Sequence, residues 1–265
     1  MRFQTAGVFL LSLLFTACSG AGGIRVDDAQ EAFDRGMLEY EEGNYLRASE
    51  YFRAVFDFGR SSDIADEAQI YLAKSLFEDE QYLLAASEFT RFVDLYPSDS
   101  RIEEIEYERI RCYYELSPEY HLDQSDAERA IAYIRLFMAR YPSSVYLDDL
   151  QQMHDELNEK LARKKFAAGQ LYERRELFEA AAISYEQLLA EHPTSPLADD
   201  ALLGTLRAKV RFAEASVLDR QEERYQEALD AYDRLLQLFP SSPLLPEAEL
   251  MYDRAYDGLQ RVQGQ

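Results

Sequence analysis

Four times along the chain an alanine is followed, twelve residues later, by a proline: Ala85 and Pro97, Ala130 and Pro142, Ala181 and Pro193, Ala228 and Pro240. The residue before each proline is Tyr96, Tyr141, His192 or Phe239, and the residue after it is Ser or Thr. Four residues after each alanine stands a large apolar side chain, Phe89, Ile134, Tyr185 or Tyr232, and three before it stands Tyr82, Ala127, Phe178 or Tyr225. A fifth copy lacks the proline: Gly43-Asn44-Tyr45 leads to Ala48 and Phe52, with Arg60 where the proline would fall. Self-similarity in fixed register is the signature of stacked repeats. The pattern describes a helical hairpin, because small residues let two helices approach, the aromatic one turn later fills the neighbouring groove, and proline ends the second helix. The Ser or Thr after each proline is expected to cap the next helix.

This spacing resembles the tetratricopeptide repeat, with the small residue of the first helix present as Gly36, Ala73 and Gly169. The predicted fold is all-α, a solenoid of about five helical hairpins plus a C-terminal capping helix over Glu247 to Val262. The intervals beyond the second copy are longer than the basic repeat. Ser117 to Asp126 reads as an exposed loop splitting repeat three. Leu147, Leu150, Met153, Leu157, Leu161 and Phe166 recur at helical spacing with no proline between, so the first helix of repeat four is predicted to be lengthened by several turns. Repeat five is predicted to be extended around Arg207 to Arg224.

Charge excludes one class of partner. The chain carries 50 Asp and Glu against 28 Lys and Arg, a formal net charge of -22, and a surface so acidic is repelled by phosphate backbones. Nucleic acid is therefore not an expected partner. With 47% apolar residues, 19 Tyr and 15 Phe the chain is far from a disordered composition.

The first residues read as an address. Arg2 precedes an apolar run from Ala6 to Ala17 that is too short for the ~20 residues a membrane-spanning helix needs. A positive start, a short apolar segment and a small residue mark a secretory signal. Phe15-Thr16-Ala17-Cys18 resembles the bacterial lipobox, although Leu is usual where Phe15 stands. That resemblance implies cleavage after residue 17, acylation of Cys18, and a flexible tether from Cys18 through the glycines to residue 28. Ser19 is not the Asp that marks inner-membrane retention, which implies a lipid-anchored location in the outer membrane facing the periplasm. With Cys18 acylated, Cys112 is the one remaining thiol, so no internal disulfide is expected, and Cys112 on a predicted helix reads as a small buried apolar residue.

No constellation supports catalysis. His121, His154 and His192 stand far apart in sequence, there is no Gly-rich phosphate loop, and Asp123 to Asp126 lacks the pattern of a calcium loop. No enzyme activity, cofactor or metal is expected. A solenoid instead offers a face lined by the first helix of each hairpin. The register places Phe33, Met37 and Tyr40 of repeat one and Ile70, Lys74 and Phe77 of repeat two on that face, as candidates for a peptide-binding groove. Repeat four would contribute Arg163, Phe166, Gln170, Glu173 and Arg174. Aromatic, Met and charged side chains together suit a peptide with apolar side chains and a polar backbone.

A lipobox followed by about five such repeats is similar to the BamD family of the outer-membrane β-barrel assembly machinery. The stretches that carry the likeness are Glu42-Gly43-Asn44-Tyr45 with Ala48 and Phe52, Arg91-Phe92 before Pro97, Arg140 to Tyr146, and Gln170 to Arg175 leading to Glu191-His192-Pro193-Thr194-Ser195-Pro196. The resemblance implies a non-enzymatic scaffold in the BAM complex. Residues 29–143, repeats one to three, would receive unfolded outer-membrane β-barrel precursors. Residues 144–265, repeats four and five with the terminal helix, would dock on the POTRA domains of BamA, with other assembly lipoproteins as further partners. The alternative is a periplasmic repeat protein that coordinates envelope constriction with the Tol-Pal system.

Overall fold

The computed structural model describes residues 24–60 and 63–264, so the signal segment and Cys18 lie outside the described residues. Among those described are eleven α-helices, one 3-10 turn and no strand. The hairpins are α1 (Ala29–Glu41) with α2 (Tyr45–Val55), α3 (Ala65–Glu78) with α4 (Tyr82–Leu95), α5 (Ile102–Leu116) with α6 (Ser125–Arg140), α7 (Leu147–Arg174) with α8 (Phe178–Glu191), and α9 (Ala198–Glu214) with α10 (Leu218–Leu238). The 3-10 turn is Phe56–Phe58, and α11 (Leu245–Gln263) follows alone. Five hairpins and a terminal helix are the architecture that the repeat spacing predicts.

The helices form two compact units that divide within α3, between Leu72 and Ala73. In the first, Ala32, Val55 and Ala68 are fully buried, with Phe33, Val26 and Ile64 packed around them. In the second, Phe89, Phe92, Ile105, Ile134, Leu150 and Leu157 have no exposed surface, and farther along Tyr185, Leu206, Val210 and Leu235 continue the core. Each large apolar side chain buried this way contributes about 2 kcal/mol. Cys112 is fully buried as expected, and burial pushes its thiol pKa well up, which keeps it unreactive.

The turns inside the hairpins repeat as closely as the helices. Gly43, Glu80 and Glu176 all adopt positive φ, at 79°, 60° and 59°. The next residue in each case donates its N–H back to a carbonyl five positions earlier, Asn44 to Glu39 at 2.8 Å, Gln81 to Leu76 at 2.8 Å and Leu177 to Tyr172 at 2.9 Å. This is the Schellman closure, which satisfies carbonyls that a helix end leaves free.

The turns between hairpins correct one expectation. The Ser or Thr directly after each proline caps nothing; helices α5, α7, α9 and α11 begin several residues later, behind Arg101, Tyr146, Leu197 and Leu244. The polar side chain that acts is the one after it. Asp99, Ser144, Ser195 and Ser242 accept from the N–H two residues on, at 2.8, 3.1, 3.2 and 3.2 Å. Their own N–H groups return to the carbonyls of Tyr96, Tyr141, His192 and Phe239, which closes a tight turn around each proline. The residue before proline is pushed out of the helical region, with φ between -124° and -132° at Tyr96, His192 and Phe239. In the copy without proline, Arg60 lays its guanidinium 4.5 Å from the Phe56 ring centre instead.

Both predicted extensions are present. Helix α7 runs 28 residues, about 42 Å. Its added turns are bonded to the preceding hairpin, with Tyr107 Oη donating to Asp149 at 2.6 Å and Lys160 Nζ to Ser117 Oγ at 2.8 Å. In repeat five the distance from the small residue Gly204 to Ala228 is twice that from Gly169 to Ala181, so twelve extra residues are shared by α9 and α10. Helix α11 covers this longer pair, through Arg254 with Glu214 and Gln263 with Glu222, as an end cap should.

Candidate functional site

In the first unit the predicted groove residues fall into an aromatic cluster. Phe33 on α1 lies 5.6 Å from Phe52 and 6.0 Å from Tyr71 between ring centres, and Tyr40 lies 5.4 Å from Tyr45 and 5.5 Å from Tyr71. Tyr71 also stacks on Phe52 at 5.6 Å, which makes it the hub of five rings. Phe33, Met37 and Tyr40 are half-buried, so each keeps an edge in solvent. Ile70 is only 5% exposed and belongs to the core, whereas its neighbour Tyr71 turns toward the cluster. The repeat register pointed to the right turn of α3 but to Ile70, and the rotation of the helix brings the adjacent Tyr71 to the cluster instead.

Lys74 and Phe77 belong to the second unit and are engaged there. Lys74 Nζ bonds Glu104 at 2.9 Å. Phe77 packs edge-on to Tyr82 at 5.2 Å, with the Arg111 guanidinium 4.6 Å over its ring. Such polar rungs between the first helices of successive hairpins continue along the unit: Tyr107 to Asp149, Tyr114 to Glu156, and Arg207 to Glu173. The hydrogen bond to Glu156 and partial burial raise the Tyr114 hydroxyl to about 12, so it remains a donor. Burial alone would raise the Glu173 carboxyl, but hydrogen bonds from Arg207 and Tyr185 hold it below the usual carboxylate range. Glu173, expected on the open face, is therefore engaged by Arg207 and Tyr185, and Phe166, expected there too, is half-buried and packs 5.4 Å from Tyr185.

The second unit also holds a cavity of about 690 Å³. Arg135 of α6, the stretch from Gln152 to Glu159 on α7, and the turn from Glu191 to Pro196 line it. His154 and His192, far apart in sequence, thus meet at one cavity, because the long α7 carries residue 154 to the turn that ends α8. The linear pattern held no signal for this; only the length of α7 decides which turn it reaches. Among the described residues no group of His, Cys, Asp and Glu is arranged to hold a metal ion, and no helix is long and apolar enough to cross a membrane.

Comparison with known proteins adds the family. The profile of YfiO, described as outer membrane lipoprotein, matches residues 25–223, and a tetratricopeptide-repeat profile matches residues 211–242. A protein of Caulobacter vibrioides named outer membrane protein assembly factor BamD is 27% identical over 66% of this chain; the match spans 58% of that relative's length. A Vibrio cholerae protein of the same name is 25% identical over 84% of this chain and 97% of its own length. Among solved structures, a TPR repeats protein of Bacteroides fragilis is 13% identical, with a TM-score of 0.45 over 88% of this chain and 99% of that one.

Proposed function

Because the chain belongs to the YfiO family of outer membrane lipoproteins, we propose that it is a non-enzymatic scaffold of the outer-membrane β-barrel assembly machinery. The observation that carries this reading is the family match over most of the chain, and the assembly-factor name of the relatives favours it over a role in envelope constriction. Acylated Cys18 anchors the protein in the outer membrane, facing the periplasm. The aromatic cluster of the first unit offers Phe33, Met37 and Tyr40 as partly exposed apolar edges for the side chains of an unfolded barrel precursor. Lys74 and Phe77, on the second unit, are candidates for a contact of their own with such a precursor. Repeats four and five, stiffened by the Arg207 network and by α11, provide a rigid surface for the POTRA domains of a BamA-type barrel subunit.

The deciding experiment is affinity purification of the tagged, detergent-solubilised protein from its native membrane. Recovery of a β-barrel protein that carries POTRA domains is expected, and its absence overturns the assembly reading. Substitution of Phe33 and Tyr40 by Ala is expected to weaken binding of a barrel-strand peptide with helical content retained; unchanged affinity removes this face from the site.

A further inference from the structure

The residue before each inter-hairpin proline has a packing job that an aromatic ring does well. Tyr96 lies 5.0 Å from Phe92 and Tyr141 lies 4.8 Å from Phe137 between ring centres, and Phe239 occupies the same place after α10. At the fourth position stands His192, which is 8% exposed and has no hydrogen-bond partner at either Nδ1 or Nε2. A buried polar atom without a partner is destabilising, a penalty the other three turns avoid with an aromatic ring. Burial also lowers the pKa of His192, opposed by Glu191 and assisted by Lys165 and Arg135, so the imidazole is neutral and holds one donor and one acceptor in reserve.

His192 lines the cavity between α6, α7 and the α8–α9 turn. The carboxylates around it are already engaged: Glu191 with Lys165 at 3.0 Å, Glu159 with Arg163 at 3.0 Å, Glu156 with Gln152 at 2.9 Å and Asp155 with Gln151 at 2.9 Å. Arg135, which is exposed at the rim, has no ion-pair partner among the described residues. Unspent capacity therefore lies with His192 and Arg135, mostly as donors, inside a rim whose carboxylates repel an anion. An uncharged acceptor that also brings a donor fits both conditions, and an extended polypeptide backbone is that group.

We propose that this cavity is a second receiving station for an extended segment of a β-barrel precursor, held through its backbone by His192 and Arg135. Both imidazole nitrogens are buried without a partner, so engagement requires the ring to turn about its Cα–Cβ bond into the cavity, and the unmet hydrogen bonds favour that turn. The identity of the occupant rests on the assembly-factor reading.

The test titrates the full-length, detergent-solubilised protein into a fluorescein-labelled peptide of one porin transmembrane strand, read by anisotropy. His192→Phe, which installs the ring the other turns use, is expected to hold or raise Tm while weakening the peptide at least threefold. Arg135→Ala is expected to weaken it similarly with Tm unchanged. Unchanged Kd in both variants overturns the cavity proposal alone, provided that the Phe33→Ala, Tyr40→Ala protein shows weakened binding in the same assay. A parent protein that does not bind the peptide overturns both this proposal and the precursor-receiving role. Tighter binding of a Glu-substituted peptide overturns the backbone reading in favour of an anion.

Discussion

The guanidinium of Arg207 on α9 closes on the Glu173 carboxylate of α7 with two hydrogen bonds, Nε at 2.7 Å and Nη2 at 2.9 Å, while the Tyr185 hydroxyl donates to the same carboxylate at 2.7 Å. Three helices of adjacent repeats are thereby joined at one side chain. Arg207→Ala is expected to cost about 2 kcal/mol, and Arg207→Lys to recover little of it, because an ammonium cannot reproduce the paired contact. Urea unfolding midpoints of the three proteins check this.

The same carboxylate sets an acid limb of stability. Its folded pKa lies below the unfolded value of about 4.3, so its contribution is complete above that pH and is lost as pH falls through the folded value. Asp99, drawn down to about 2 by its bonds from Arg101, adds a second contribution of the same sign between roughly pH 4 and 2. Glu173→Gln is therefore expected to lower Tm at pH 7 and to differ much less from the parent at pH 3. Parallel melts at the two pH values test it; a constant difference would show that charge at Glu173 is not what matters.

Tyr185 is clasped from both edges by glycines. A Cβ at Gly169 would lie 2.5 Å from Tyr185 Cε1, and one at Gly204 would lie 2.7 Å from Cε2. Neither side can yield, since the ring is fully buried. Gly169→Ala and Gly204→Ala are each expected to destabilise by about 1–3 kcal/mol through overpacking, despite the better helix propensity of Ala. Adding Tyr185→Leu to either should recover part of the loss, as measured by a double-mutant cycle.

The three hairpin turns at positive φ make opposite predictions. Gly43 has no penalty there, whereas Glu80 and Glu176 hold a conformation costing an L-residue roughly 1–2 kcal/mol. Glu176→Gly and Glu80→Gly are expected to stabilise by about 0.5 kcal/mol after the entropy cost of glycine, and Gly43→Ala to destabilise by about 1 kcal/mol. Chemical denaturation resolves the sign in each case.

Cys18→Ser, which removes the proposed acylation site without touching the helical repeats, is expected to release the protein from the membrane fraction into the periplasmic one. Persistence in the outer membrane at parental levels would mean that something other than the lipid holds it there.

Repeat number, hairpin order, the long α7 and the terminal helix were all legible in the chain, and so was the loop of repeat three, although it ends at the buried Gln124 and Ser125 and Asp126 already belong to α6. They follow from spacing between small residues, aromatics and prolines, which acts over one or two helical turns. The aromatic face was half legible: Phe33, Met37 and Tyr40 follow from register, but Tyr71 in place of Ile70 depends on how α3 is rotated. The capping error has a similar cause, since Ser98, Ser143, Thr194 and Ser241 all look like caps until the proline turn places the next residue's oxygen over the open N–H.

The sequence by itself determined the hairpins, because helix, turn and stop signals are local and each is satisfied within about twelve residues. Only the tertiary structure decided that Glu173 is bound by Arg207 and that His154 shares a cavity with His192. Those pairings join residues 34 positions apart or more, and their partners are selected by helix length and rotation, which no short-range spacing encodes.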